Sequence, residues 1–181
     1  MALTATMYTF DIQLSDVDRG VYETLAVRAA CHPSETDAYL WTRVLAYRLE
    51  YTDGITFSRG LSTPDEPAVM VRDLAGAITS WIEVGAPDAA RLHRASKATP
   101  RVVVYTYRDP RLLQRQYAGA RIHRAQDIVI RAVERGLLDA LVARLDRRVV
   151  MDVSVTEGML YVTIGGGVLS GEVTNHPVVA A

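Results

Sequence analysis

Apolar and polar positions alternate every second residue from Met7 to Leu14 (MYTFDIQL), the pattern of a half-buried strand. Ser15 to Gly20 carries turn chemistry, and Val21 to Ala30 returns as a second strand, predicting an N-terminal hairpin. The period then changes. Pro33-Ser34-Glu35-Thr36-Asp37 reads as a helix start, with Ser34 able to cap free amides. Ala38, Trp41, Leu45 and Leu49 form one stripe up to about Glu50, widened by Leu40, Val44 and Tyr47. So broad an apolar face implies a helix packed on a sheet, and Glu35 heads its inward side.

Ile55 to Arg59 predicts a short strand, and Leu61 to Pro67 a loop. Ala68 to Arg72 and Ile78 to Val84 predict strands joined by a turn at Asp73 to Gly76. Asp88 can cap a helix whose buried stripe is Ala89, Leu92, Ala95 and Ser96. Arg101 to Tyr107 is β-branched and aromatic, an interior strand. Arg111 to Gln126 predicts a basic helix, Asp127 to Val133 a strand, and Leu137 to Leu145 a short helix. Val149 to Thr156 and Met159 to Ile164 predict a hairpin across Glu157-Gly158. Gly165 to Gly167 then turns into a last strand, Val168 to Val173. The expected fold class is mixed α/β: a central mixed sheet flanked by helices, with additional antiparallel hairpins at both termini. The expected organisation is a single domain over 1–181.

Composition narrows the classes. A hydrophobic share of 49% supplies a sizeable core, and a net charge of −1 gives no overall attraction to nucleic acid or membrane. The single cysteine, Cys31, rules out a disulfide framework and a cysteine zinc site. Met1 to Phe10 lacks the features of a signal peptide, and no apolar run is long enough to span a bilayer. The expected compartment is cytoplasmic.

The chemistry concentrates between Asp65 and Lys97. Glu66 stands at the entry of one hairpin strand and Glu83 near the exit of its partner, so antiparallel pairing brings the two carboxylates together. Such a pair can hold Mg²⁺, with Mn²⁺ as a substitute, and the ion can activate water against a phosphodiester. The alternative is a salt bridge from Glu83 to Arg72 or Arg94. Arg94 and Lys97 share a helix face and either can orient water or neutralise a phosphate, or both are solvated surface cations. Between Ala89 and Gln126 the cations are Arg91, Arg94, Lys97, Arg101, Arg108, Arg111, Arg115, Arg121 and Arg124, against one acid, Asp109. With Tyr105, Tyr107 and Tyr117 interleaved, the span reads either as a nucleic-acid footprint or as arginines bridging to acids elsewhere.

The segments MALTATMYTFDIQLSDVDRGVYETLAV, HPSETDAYLWTRVLAY, GLSTPDEPAVMVRDLAGAITSWIEVGAPDAARLHRASKA and RVVVYTY resemble the bacterial YaeQ family, collinearly over nearly the whole chain. The resemblance implies a restriction-endonuclease-like core of the PD-(D/E)XK type with a variant motif. It places Glu35 at the acidic position of the first core helix, Glu66 (or Asp65 beside it) at the first motif acid, and Glu83 at the second. Gly85 stands where the motif has lysine, and a cation from the next helix, Lys97 or Arg94, is the implied replacement. The leading expectation for activity is a Mg²⁺-dependent nuclease. Glu66 and Glu83 would be the metal ligands, Glu35 and Lys97 would assist, and Arg91, Arg94, Arg101, Arg108, Arg111 and Arg115 would hold the phosphate backbone. The competing expectations are an inactive nuclease-fold module that binds nucleic acid or a regulatory protein partner, and an adaptor whose acidic pocket takes a cationic partner.

Overall fold

The structure is a computed structural model and describes residues 4–58 and 65–179. Among these described residues fifteen elements follow in order: β1 (Thr6–Asp16), β2 (Val21–Cys31), α1 (Asp37–Leu49), β3 (Ile55–Phe57), β4 (Val69–Arg72), β5 (Ile78–Val84), α2 (Ala89–Ala98), β6 (Arg101–Thr106), α3 (Pro110–Tyr117), a 3-10 turn at Ala125–Asp127, β7 (Val129–Val133), α4 (Arg135–Val142), β8 (Arg148–Thr156), β9 (Met159–Ile164) and β10 (Gly167–Pro177). The strands form one mixed sheet in the order β2-β1-β8-β9-β10-β7-β6-β5-β4-β3, curled nearly into a barrel.

The terminal hairpins expected as additions are continuous with the central strands. β1 pairs in parallel with β8, Phe10 opposite Val149, and β10 joins the two halves by pairing with both β9 and β7. Arg59 of the predicted third strand, and most of the loop predicted at 61–67, lie outside the described residues.

The broad stripe of α1 is explained by its position. The helix sits in the gap between the edge strands β2 and β3 and also touches β4, β5, β6 and α4. Leu40 to Ala46 are therefore buried without interruption. Trp41 meets the edge of Phe10 with ring centroids 5.3 Å apart. Polar groups fix the helix in the gap. Arg43 Nη2 donates to the Ala30 carbonyl on the free edge of β2. Arg19, in the β1–β2 turn, donates to the carbonyls of Leu49 and Tyr51, each at 2.6 Å, and so closes the helix C-terminus.

Two local expectations change. The residue that caps α1 is Thr36, whose hydroxyl accepts from Tyr39 N at 3.1 Å, while Ser34 engages the His32 ring instead. The basic helix expected to reach Gln126 ends at Tyr117, because its apolar anchors, Leu113 and Tyr117, run out there and Gly119 follows at φ +74°.

Two apolar layers result. Ile82, Val84, Val103 and Tyr105 face α1 and α4, whereas Trp81, Val102, Val104 and Ile130 face α2 and α3. Consecutive strand residues point to opposite faces, so Glu83 lies on the α2 side with Trp81.

Candidate functional site

Glu83 is buried, with its side chain 6% accessible. Two donors converge on its Oε1: Trp81 Nε1 at 2.6 Å and Arg91 Nε at 2.5 Å. Arg91 also lies over the Trp81 ring, 5.8 Å from its centroid, and its Nη2 donates to the Glu66 carbonyl at 2.7 Å. Burial pushes the Glu83 carboxyl above the ordinary range, and the bonds from Trp81 and Arg91 pull against that shift. Asp88 places Arg91 here, because its carboxylate accepts from Arg91 N at 2.6 Å and starts α2 directly beside β5.

Glu66 lies before β4, with Oε1 3.9 Å from Arg72 Nη2. Its Oε2 is buried and accepts no hydrogen bond from the described residues. Glu35, just before α1, is enclosed as its place at the head of the inward stripe anticipated. Its Oε2 accepts from His32 N at 2.8 Å and its Oε1 lies 3.5 Å from Arg43. Tyr39 connects these groups. Its phenol is pushed up to about 12, chiefly by burial, and feels the charges of Arg43, Glu35, Glu83 and Arg91.

The glycine at the lysine position has a structural reason. Gly85 has φ +93°, and a Cβ there would sit 3.8 Å from the Tyr39 ring. Tyr39 covers this backbone, and an L side chain would adopt the left-handed region only with strain.

The cations proposed to stand in for the lysine lie elsewhere on α2. Arg94 lines a cleft of about 170 Å³ with Asp65, Trp81 and Arg91. Lys97 is exposed in the last turn, six residues and about 9 Å of helix rise beyond Arg91. Arg91 is the cation that reaches Glu83. In the sequence it was one of nine basic residues, and its first-turn position behind Asp88 was the available signal.

The basic span divides in two. Arg91 is committed to Glu83, and Arg101 to Glu50, at 2.7 Å. Arg124 donates to the carbonyls of Ser96 and Thr99 at 2.6 and 2.7 Å, tying the end of α2 to the segment before β7. Arg94, Lys97, Arg108, Arg111, Arg115 and Arg121 are exposed. They lie on α2, on α3 and in their flanking loops. Of the three tyrosines, Tyr105 is buried on Glu50 and Tyr117 donates to the Pro87 carbonyl at 2.7 Å, so neither ring is open to a base. Tyr107 is half-buried.

A second charged cluster lies under the sheet. Glu50 Oε1 accepts from Tyr105 Oη and Arg131 Nη1, both at 2.8 Å, while Arg101 holds the other oxygen. Glu50 carries no local signal in the sequence, since its partners are 51, 55 and 81 residues away.

Glu35, Glu66 and Glu83 each face an arginine: Arg43, Arg72 and Arg91. Among the described residues no group of three or more His, Cys, Asp or Glu is arranged to hold a metal ion. As they stand, these carboxylates are compensated by guanidinium groups and do not fit a Mg²⁺ cradle, which needs oxygen ligands at about 2.0–2.1 Å with several waters. Among the described residues no helix is long and apolar enough to cross a membrane.

Comparison with known proteins agrees with this fold. The profile of the YaeQ protein family matches residues 1–173. An uncharacterized YaeQ protein of Escherichia coli strain K12 is 38% identical over 108 residues, spanning 59% of each chain. An uncharacterized YaeQ protein of Salmonella typhi is 31% identical over 90% of this chain and 91% of its own. The crystal structure of YaeQ protein from Pseudomonas syringae superposes with a TM-score of 0.86 at 35% identity, covering 94% of this chain and 95% of that one. That from Xanthomonas axonopodis pv. citri gives 0.87 at 32% identity, covering 95% and 98%. With a family profile over residues 1–173 and a relative matched over about nine-tenths of both chains, the chain belongs to the YaeQ family.

Proposed function

We propose that this protein is a nuclease-fold module that binds nucleic acid without cutting it. The order α1, β3-β4-β5, α2, β6, with β5 and β6 parallel, supports a restriction-endonuclease-like core. The observation that carries the non-catalytic reading is that Glu83 Oε1 is occupied by Arg91 and Trp81. An oxygen held this way is neither presented to an ion nor free to take a proton from water. Gly85 under Tyr39 removes the strand lysine, and Lys97 lies away from the Arg91–Glu83 pair at the far end of α2.

The binding half of the reading rests on Arg94, Lys97, Arg108, Arg111, Arg115 and Arg121. These exposed cations, on α2, on α3 and in their flanking loops, answer phosphates while the net charge of the chain is only −1. The test is a fluorescence-anisotropy titration of labelled oligonucleotides across a range of salt. Affinity falls linearly in log–log form, and Arg111→Ala with Arg115→Ala lowers the slope by about 0.7 to 0.9 per lost phosphate contact. Binding with no salt slope, or a slope these variants leave unchanged, removes the reading.

A second reading, a Mg²⁺-dependent nuclease using Glu66 and Glu83, draws on one observation: Glu66 Oε2 is a buried acceptor without a hydrogen bond from the described residues. It requires Arg91 to swing off Glu83. Calorimetric titration with Mn²⁺ discriminates, because only this reading predicts binding that Glu66→Gln abolishes.

A further inference from the structure

β6 and β7 are adjacent and parallel, with Thr106 opposite Ala132. The chain leaves them in opposite directions. After β6 it turns into α3, whose Leu113 and Tyr117 join the layer with Trp81 and Leu92. After β7 it turns into α4, whose Leu137, Leu138 and Leu141 join the layer with α1. Departures to opposite faces open a crevice at the carboxyl ends of the two strands, the position where open parallel sheets receive ligands. A cleft of about 660 Å³ occupies it, within the range of small-molecule sites.

Its chemistry is divided. Tyr107, Pro110, Leu112, Ala132 and Val133 supply apolar surface, and Leu112 is half exposed, at 52%. Several polar side chains of the lining are already engaged. Asp109 Oδ1 accepts from Arg111 N, Glu134 Oε2 from Glu172 N, and Arg135 pairs with Asp139. The side chains of Arg108 and Glu172, both lining the cleft, have no partner among the described residues. The lining thus leaves one guanidinium and one carboxylate uncommitted beside apolar surface, with Asp109, Glu134 and Arg135 engaged around them.

We propose that this cleft takes a single unstacked purine nucleotide, with guanine preferred. Tyr107 and Leu112 cover the base, and the Arg108 guanidinium holds its phosphate. The Glu172 carboxylate accepts from the N1–H and N2 amino groups of guanine, two parallel donors that match its two oxygens. Adenine and cytosine lack this donor pair. The cleft adjoins Arg111 on α3, so a strand lying on the exposed cations delivers a base to it. This inference rests on the nucleic-acid reading and narrows it to a single-stranded, purine-reading ligand.

The test uses guanosine 5′-monophosphate, followed by ¹H–¹⁵N NMR of the full chain, with inosine and uridine monophosphates as comparisons. Guanosine monophosphate shifts the amides of 107–109, 111–112, 132–135 and 172–174. Inosine monophosphate, lacking the N2 amino group, binds about tenfold more weakly, one lost hydrogen bond to a charged group. Arg108→Ala and Glu172→Gln each weaken binding at least tenfold, and unchanged thermal melts confirm that these exposed substitutions leave the fold intact. Equal affinity for the three nucleotides, or binding indifferent to Arg108 and Glu172, overturns the proposal. If oligonucleotides still bind with a salt slope that Arg111 and Arg115 control, the cleft alone has failed. If the mononucleotide binds here and oligonucleotides do not, the module reading has failed and the cleft stands.

Discussion

Replacing Arg91 by methionine isolates what holds Glu83 in place. Methionine keeps an apolar stem against Trp81 and removes the guanidinium, along with its bond to the Glu66 carbonyl. Breaking one partner of a fully buried pair costs roughly 3–5 kcal/mol, because the remaining charge has lost its compensation. Arg91 retains 23% of its side-chain accessibility, and Glu83 keeps its bond from Trp81. Water screening at Arg91 therefore reduces the expected loss to about 2–3 kcal/mol.

The loss depends on pH with a definite sign. Burial already holds the Glu83 carboxyl above its ordinary range, and removing Arg91 deletes a downward pull, so it rises further. A carboxyl raised in the folded state stabilises the fold below its unfolded pKa, and that contribution disappears as pH rises through the folded value. The deficit of Arg91→Met is thus small in acid and grows upward from the ordinary carboxylate range. Urea unfolding followed by Trp81 and Trp41 fluorescence, from acid to neutral pH, measures it. Adding Glu83→Gln removes the stranded charge while leaving an oxygen to accept from Trp81, and restores most of the stability at neutral pH. A deficit under about 0.5 kcal/mol, or one flat with pH, refutes the reasoning.

Restoring the motif lysine tests the glycine: Gly85→Lys costs about 1–3 kcal/mol from φ +93° alone, visible in a denaturant midpoint, and yields no cleavage. Glu50→Ala takes the carboxylate from Arg131 and leaves Tyr105 Oη without its acceptor; because Arg131 keeps 29% of its side-chain accessibility, water screening sets the expected loss at about 2–3 kcal/mol by urea titration. Arg48 is fully buried, its three side-chain nitrogens have no hydrogen-bond partner among the described residues, and burial pulls it down to about 10. Arg48→Met, which keeps the stem and drops the charge, is therefore expected to leave the melting temperature unchanged or raise it.

Strand and helix positions were largely legible because they depend on period. The alternation of Met7 to Leu14 and the stripe from Ala38 to Leu49 read directly as β1 and α1. What the period does not carry is connection. Nothing local says that β1 lies beside β8, more than a hundred residues away, or that β10, beyond its local hairpin with β9, also pairs with β7 across the intervening helix and strands. The same limit applies at the candidate site. Glu35, Glu66 and Glu83 were found as acids, but Arg43, Arg72 and Arg91 became their partners only through α1, the β4–β5 hairpin and the start of α2. The basic helix was overextended because charge continued past Tyr117 after its apolar anchors had ended.

Incubating a labelled single-stranded oligonucleotide with the protein in Mn²⁺, and following binding and strand length on parallel gels, tests the central claim most directly. The strand should be shifted on the native gel and recovered at full length on the denaturing one, for wild type and Glu83→Gln alike. Shortened products that require Mn²⁺ and vanish with Glu83→Gln would show that Arg91 yields its carboxylate to a metal, contradicting the account.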